Sequence, residues 1–146
     1  MQTMNPYLKQ YKKNQVETAT QEEVLILLYD GAIQFLSKAK IGIEQNDNEM
    51  VNKNIIACEN IINEFIDTLD MENGGSFAQN LKSLYEYFYR TLVKANIKKD
   101  IAKIDEVQRH LRNLRETWQK AINIANSQKK AILDDDEFED QEGREV

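Results

Sequence analysis

Histidine, cysteine and clustered carboxylates are the side chains that could carry chemistry in this 146-residue chain. His110 is the only histidine, and this rules out His-rich metal sites and most catalytic triads. A single histidine on a helix raises the hypothesis of a phosphotransfer domain, in which a lysine and a glycine follow the histidine closely. This chain instead reads His110-Leu111-Arg112-Asn113. The match fails, and phosphotransfer stays only as a rival hypothesis.

Two further candidate sites also fail. Cys58 occupies a core position in a helical pattern, where a small apolar side chain is expected rather than a nucleophile. Asp134, Asp136 and Glu145 have the spacing of a calcium loop, but its sixth position is Glu139 instead of glycine. No glycine-rich phosphate loop occurs. The sequence therefore predicts a protein that is not an enzyme and has no cofactor.

Four long helical patterns follow a short N-terminal arm, and they predict an all-α fold. Helix 1 is expected over about 20–45, and helix 2 from about 47 to the loop at 72–75. Helix 3 is expected to open at a capping box of Ser76 and Gln79, with Phe77 first in its core stripe, and helix 4 begins near Asp100. Short connections between helices of this length favour antiparallel neighbours. We therefore predict an antiparallel up-down four-helix bundle.

Charge is distributed unevenly along the chain. The net charge is −6, but the last 13 residues hold eight acids and one arginine, so residues 1–133 are close to neutral at +1. A near-neutral body without a basic face argues against nucleic-acid binding. We expect three parts: an arm over 1–19, the bundle over 20–133, and a disordered acidic tail over 134–146.

The cellular setting can also be inferred from the sequence. One cysteine cannot form an intramolecular disulfide, and the N-terminus lacks the apolar segment of a signal peptide. No apolar run approaches the roughly 18 residues that span a bilayer. We expect a cytoplasmic protein with no membrane insertion.

Helix 1 is too apolar for a single core-facing stripe. One stripe follows helical spacing and is taken as the core face: Leu25, Leu28, Ala32, Phe35, Ala39. A second stripe lies about 100° further round the helix: Ile26, Tyr29, Ile33, Leu36. Either helix 1 touches two neighbours, or the second stripe is a groove kept for a partner. We predict that the second stripe binds a partner.

Other apolar side chains remain after the core is assigned. Tyr87, Tyr89 and Val93 lie off the core stripe of helix 3 and suggest a second patch, because tyrosine offers rigid apolar area with a polar tip. Ile56 and Ile61 on helix 2 are further candidates. Gly31, inside helix 1, marks a point where a neighbouring or bound helix could approach closely.

The chain resembles a known family, the flagellar secretion chaperones FliS, over roughly residues 4–125. The segments that carry the resemblance are Asn5-Pro6-Tyr7, Leu28-Tyr29-Asp30-Gly31-Ala32-Ile33, Leu84-Tyr85 through Tyr89-Arg90, Ala95-Asn96 with Asp100, and Trp118. Two features depart from the pattern. Gln21 stands where many relatives have proline, and the acidic tail beyond Leu133 has no counterpart.

The resemblance implies a cytoplasmic chaperone that binds the disordered C-terminal segment of flagellin. It would prevent premature polymerisation and deliver the subunit to the flagellar export gate for type III secretion. It also implies that the arm, through Tyr7 and Tyr11, can lie over part of the groove when no client is bound. The rival class is a self-associating bundle that uses the second helix 1 stripe, whereas a chaperone should be a monomer or weak homodimer.

Overall fold

In the computed structural model, residues 19–144 are described, with side chains through Asp136. They form four helices: α1 (Gln21–Glu44), α2 (Asn48–Asp67), α3 (Gly75–Lys98) and α4 (Ile101–Arg144). No strand occurs within this range. The prediction of an all-α four-helix fold is confirmed.

Short polar side chains start three of the helices. The Thr20 hydroxyl accepts a hydrogen bond from the Glu23 amide at 3.2 Å, and Asp47 accepts one from the Met50 amide at 3.0 Å. Asp100 accepts from the Ala102 amide at 3.0 Å at the start of α4. Each bond satisfies one of the amides that a helix leaves free in its first turn.

The predicted capping box at the start of α3 is wrong. The N-cap is Gly74, which makes no side-chain bond, and Gly75 opens the helix with φ of +56°. The Gly74 amide instead donates to the Asp70 carbonyl at 2.9 Å, so the backbone of the preceding turn organises this helix start. Phe77 is not in the core stripe; it is 64% exposed.

The helices form a closed antiparallel ring in which α1 and α3 each pack against both α2 and α4. Lys40 pairs with Asp105, and Asp30 pairs with Arg115. Because the α4 number rises as the α1 number falls, these two pairs confirm that α1 and α4 run in opposite directions. The core between the helices includes Tyr85, Phe88 and Leu111, all at most 2% exposed.

Helix α4 is 44 residues long, whereas the other three have 20 to 24. Ile122 is its last half-buried residue, and every side chain from Asn123 to Asp136 is exposed. α4 therefore extends beyond the bundle. We expected a disordered end from Asp134, but the helix continues to Arg144, because no proline or glycine interrupts the chain before Gly143.

Within residues 19–144, no helix is both long and apolar enough to cross a membrane. The same part of the chain holds no group of three or more side chains that could bind a metal ion.

Candidate functional site

Helix α1 buries the stripe that sequence patterning left over for a partner. Tyr29 and Leu36 are 0% exposed and Ile26 is 8% exposed, so these three residues belong to the core. Tyr29 and Leu36 therefore offer no accessible surface to a partner, whereas Ile26 also borders a depression between α1 and α4, and partner binding by Ile26 stays a prediction. The two stripes are similarly apolar, and the helix is rotated so that Tyr29 reaches polar partners inside the bundle.

A buried hydrogen-bonded group surrounds Tyr29. Its hydroxyl bonds to the Tyr85 hydroxyl and accepts from the Trp118 indole Nε1 at 3.1 Å, which connects α1, α3 and α4. The Phe65 ring stacks on Tyr29 with centroids 4.5 Å apart, so α2 also contributes. Burial, together with Tyr85 alongside, raises the pKa of the Tyr29 hydroxyl far above its usual range. It therefore stays protonated and acts only as a structural hydrogen-bonding group.

Leu28 and Phe35 were predicted in the core but are half-buried. They belong to an apolar groove between α1 and α2, which we call the α1–α2 groove. Its α1 wall follows positions i, i+4, i+7 and i+11, on the side of α1 that faces α2: Val24, Leu28, Gly31, Phe35. All four are half-buried. Across from Gly31 lies Ile61 of α2, and an alanine Cβ at position 31 would sit 3.5 Å from the Ile61 Cδ1.

At its open end this groove widens into a depression of about 430 Å³ beside the start of α1. Its apolar lining includes Val24, Leu25, Leu28 and Phe65, and its polar lining comes from Gln21, from Glu64 of α2 and from Thr68, which directly follows α2. Sequence patterning placed Leu28 and Phe35 in the core and so missed this surface. The signal was the regular spacing of Val24, Leu28 and Phe35 around Gly31.

A second depression, of about 370 Å³, lies between α1 and α4. Ile26, Leu27 and Ile122 give it an apolar floor, and charged side chains surround it. Among them, the Arg115 Nε donates to the Asp30 carboxylate at 2.5 Å. This bond raises the pKa of the Arg115 guanidinium, which therefore remains charged. The α1–α4 depression is thus more polar than the α1–α2 groove.

The remaining predicted residues on α1 and α2 are at least partly accessible. Ile33 is half-buried on the side of α1 that faces α4, where its carbonyl accepts from the Gln108 Nε2 at 2.9 Å. Ile61 is half-buried beside the α1–α2 groove, and Ile56 is 41% exposed on the outer face of α2. Partner binding by these three residues stays a prediction.

Tyr87, Tyr89 and Val93 do not form one patch. Tyr87 faces α4, because its hydroxyl donates to the Glu106 carboxylate at 2.5 Å. Tyr89 is two residues, or about 200°, further round α3 and packs its half-buried ring against the core on the other side. Val93 is 37% exposed on the outer surface. Tyr89 and Val93 are four residues apart and so lie on the same side of α3, whereas Tyr87 lies on a different side.

No catalytic arrangement involves the two candidate reactive side chains. His110 is half-buried, and its ring packs on Phe88 with centroids 5.4 Å apart. Cys58 is fully buried, and burial raises the pKa of its thiol far above the usual range, so the nucleophilic thiolate is disfavoured. Tyr7 and Tyr11, the predicted groove-covering residues of the arm, lie outside the described residues.

Comparison with known proteins covers almost all of the bundle. Residues 3–125 match the family described as Flagellar protein FliS. The chain is 38% identical over 122 residues to the flagellar secretion chaperone FliS of Bacillus subtilis, covering 84% of this chain and 90% of the relative. It is 33% identical over 126 residues to the Salmonella typhimurium chaperone of the same name, covering 83% and 93%. The Escherichia coli chaperone is 30% identical over 108 residues, covering 73% and 79%.

Proposed function

Because the chain belongs to the FliS family of flagellar secretion chaperones, we propose that it binds the disordered C-terminal segment of flagellin in the α1–α2 groove. As a member of a chaperone family the protein is not an enzyme. It acts by binding its client and carries out no reaction on it. By covering a client segment that would otherwise polymerise, it keeps the subunit monomeric until export.

The α1–α2 groove supports this proposal through its apolar lining and its shape. Leu28 and Phe35 present half-buried apolar surface, and Gly31 between them adds no side chain to the groove, where the Ile61 side chain of α2 lies close by. An amphipathic helix placed in such a groove buries its apolar face, which is the usual way of recognising a helix-forming segment. Binding also has to offset the ordering of the client, at about 2–5 kcal/mol or more.

Client binding would take place in the cytoplasm, before the subunit reaches the flagellar export gate. Ala19 and Gln21, which follow the first 18 residues, line the depression of about 430 Å³. We therefore keep the hypothesis that Tyr7 and Tyr11 compete with the client for this groove. Removal of residues 1–17 should change client affinity or association rate. If neither changes, the arm has no such role.

The decisive experiment is calorimetric titration of the full chain with the C-terminal segment of flagellin from the same organism. We expect one-to-one binding with a negative heat-capacity change, the mark of apolar burial. Leu28→Ala should weaken binding by about 1–2 kcal/mol, or roughly 5- to 30-fold in Kd. Ile41→Ala is the matched control, since Ile41 is 43% exposed on the same helix and lines neither depression.

The result separates the proposal from its rivals. Binding that is weakened in Leu28→Ala but unchanged in Ile41→Ala supports the α1–α2 groove. Equal binding by both variants places the client elsewhere on the bundle, and the absence of any binding overturns the flagellin proposal. The rival homodimer through Tyr29 and Leu36 is not favoured, because both side chains are buried in the bundle. Phosphotransfer is not favoured either, since the relatives are chaperones.

A further inference from the structure

The core-facing stripe of α4 continues past the end of the bundle. Inside the bundle, Ile104, Leu111 and Trp118 follow one another at intervals of seven residues, and all pack in or against the core. The same interval continues to Ala125 and Ile132, which are exposed. A seven-residue interval returns to nearly the same side of a helix, with a drift of about 20°. The face of α4 that is buried in the bundle is therefore uncovered beyond it.

Four residues at the centre of this uncovered face form a self-complementary set. In order along α4 they are Lys129, Ile132, Leu133 and Asp136, with spacings of three, one and three. Ile132 is 61% exposed and Leu133 is 54% exposed. A basic residue stands one turn before the apolar pair, and an acidic residue stands one turn after it. Reversing the direction of the helix therefore exchanges the two charges and keeps the apolar pair in the middle.

We propose that this face is the interface of a homodimer, in which the α4 extensions of two copies pair antiparallel about a two-fold axis between Ile132 and Leu133. Ile132 and Leu133 of both copies then form a small apolar core. Lys129 of each copy lies opposite Asp136 of the other. Such an isologous contact is closed, so it produces dimers and not filaments.

The charge distribution along the extension selects this partner and this direction. The charged residues over 120–133 are all lysines, namely Lys120, Lys129 and Lys130. Residues 134–146, in contrast, hold eight acids and one arginine. An antiparallel pair sets the basic half of one copy against the acidic half of the other. A parallel pair would set acid against acid, which is destabilising. Residues 126–146 also lie beyond the part of the chain that matches the family, so the surface belongs to this chain's own extension.

The contact has the size of a weak interface. Two extensions of about 20 residues overlap over roughly 30 Å. One pair of helices of this length stands at or below the low end of the roughly 1,200–2,000 Å² that stable interfaces bury. We therefore expect a dimer that dissociates on dilution and is weakened by salt, because its ion pairs are exposed to solvent.

The test is sedimentation of the full-length protein over a range of concentrations, at low and at high salt. Ile132→Asp should weaken dimerisation by about tenfold or more, since it places a carboxylate at the apolar centre. Ile124→Asp is the matched control. Ile124 is 59% exposed on the same extension, but it lies five residues, or about 140°, away from Lys129. Neither side chain contacts the bundle core, so both variants should fold as the wild type does.

A charge-exchange experiment identifies the register. K129E alone and D136K alone should each dimerise less than the wild type, because each brings like charges together. An equimolar mixture of the two should regain the wild-type affinity, since the mixed dimer restores both opposite-charge pairs. Failure of the mixture to regain it would overturn the antiparallel register. A wild-type protein that stays monomeric up to about 1 mM, or a dimer that Ile132→Asp leaves intact, would overturn the interface itself.

Discussion

The Trp118 indole Nε1 donates to the Tyr29 hydroxyl at 3.1 Å, so a bond inside the bundle joins the last helix to the first. The same hydroxyl bonds to Tyr85 of α3. Since Tyr29 is 0% exposed and Tyr85 is 2% exposed, neither hydroxyl can exchange these partners for water. This group holds α1 in a rotation that buries Tyr29 and Leu36 and leaves Leu28 and Phe35 half-buried.

Removal of the Tyr29 hydroxyl should be costly. Tyr29→Phe leaves the buried Tyr85 hydroxyl without its partner and also removes the acceptor of Trp118, so we expect a loss of about 1–3 kcal/mol in the free energy of unfolding. Urea unfolding followed by circular dichroism measures this loss. Tyr87→Phe is the control, because Tyr87 is 40% exposed and water can replace its hydroxyl. Equal losses in the two variants would contradict the structural importance of the buried group.

The two glycines of α1 should respond in opposite ways to alanine. At Gly31 the new Cβ would lie 3.5 Å from Ile61 Cδ1, an ordinary contact, so Gly31→Ala should stabilise the helix by about 0.5–1 kcal/mol. At Gly42 it would lie 2.9 Å from Val51 Cγ2 and 3.1 Å from the Val51 amide nitrogen. We expect Gly42→Ala to destabilise the bundle by about 1–3 kcal/mol. Thermal unfolding compares the two, and equal shifts would contradict the packing between α1 and α2.

Under the proposed function, Gly31→Ala should also weaken client binding while it strengthens the fold. The added methyl group would occupy the floor of the α1–α2 groove. Calorimetry with the same client segment measures this, and an unchanged Kd would show that the client does not approach Gly31.

Glu59 should make stability fall as pH rises through the weakly acidic range. It is only 8% exposed, and burial raises the pKa of its carboxyl above the ordinary value of 4.5. Between the unfolded and folded pKa values the folded protein therefore holds more protons, and stability decreases as pH rises through that window. Glu59→Gln cannot ionise, so it should be more stable than the wild type at neutral pH. The difference should close below about pH 4, and parallel unfolding profiles of the two proteins would contradict the effect.

The Gln108 hydrogen bonds and the Asp30–Arg115 ion pair both join α1 to α4, but the Gln108 bonds should contribute more to stability because they are buried. Gln108 is 1% exposed, donates to the Ile33 carbonyl at 2.9 Å and the Ser37 hydroxyl at 2.7 Å, and accepts from Lys40. Gln108→Met keeps the volume but removes these bonds, so we expect a loss of about 1–3 kcal/mol. Asp30→Asn disrupts only the half-exposed pair with Arg115 and should cost less than about 1 kcal/mol. Denaturant unfolding in low and high salt separates them, and a larger loss in Asp30→Asn would contradict this order.

Local features were predictable because they depend on neighbouring residues alone. The helix starts at Thr20 and Asp100 follow from short polar side chains placed where first-turn amides need acceptors. The wrong prediction of a capping box at the start of α3 also has a local cause. The helix begins at Gly75 after the N-cap Gly74, and the pattern of side chains at Ser76 does not reveal this.

The all-α class, the four helices of residues 19–144 and the family follow from the sequence alone, since periodicity and motif order do not depend on how the helices are rotated. The burial of Tyr29 and Leu36, with Leu28 and Phe35 half-buried beside a groove, depends instead on the rotation of α1 within the bundle. Two similarly apolar faces about 100° apart gain nearly the same free energy on burial in isolation. The choice between them depends on which one can satisfy its polar atoms, and the partners of Tyr29 lie 56 and 89 residues away along the chain.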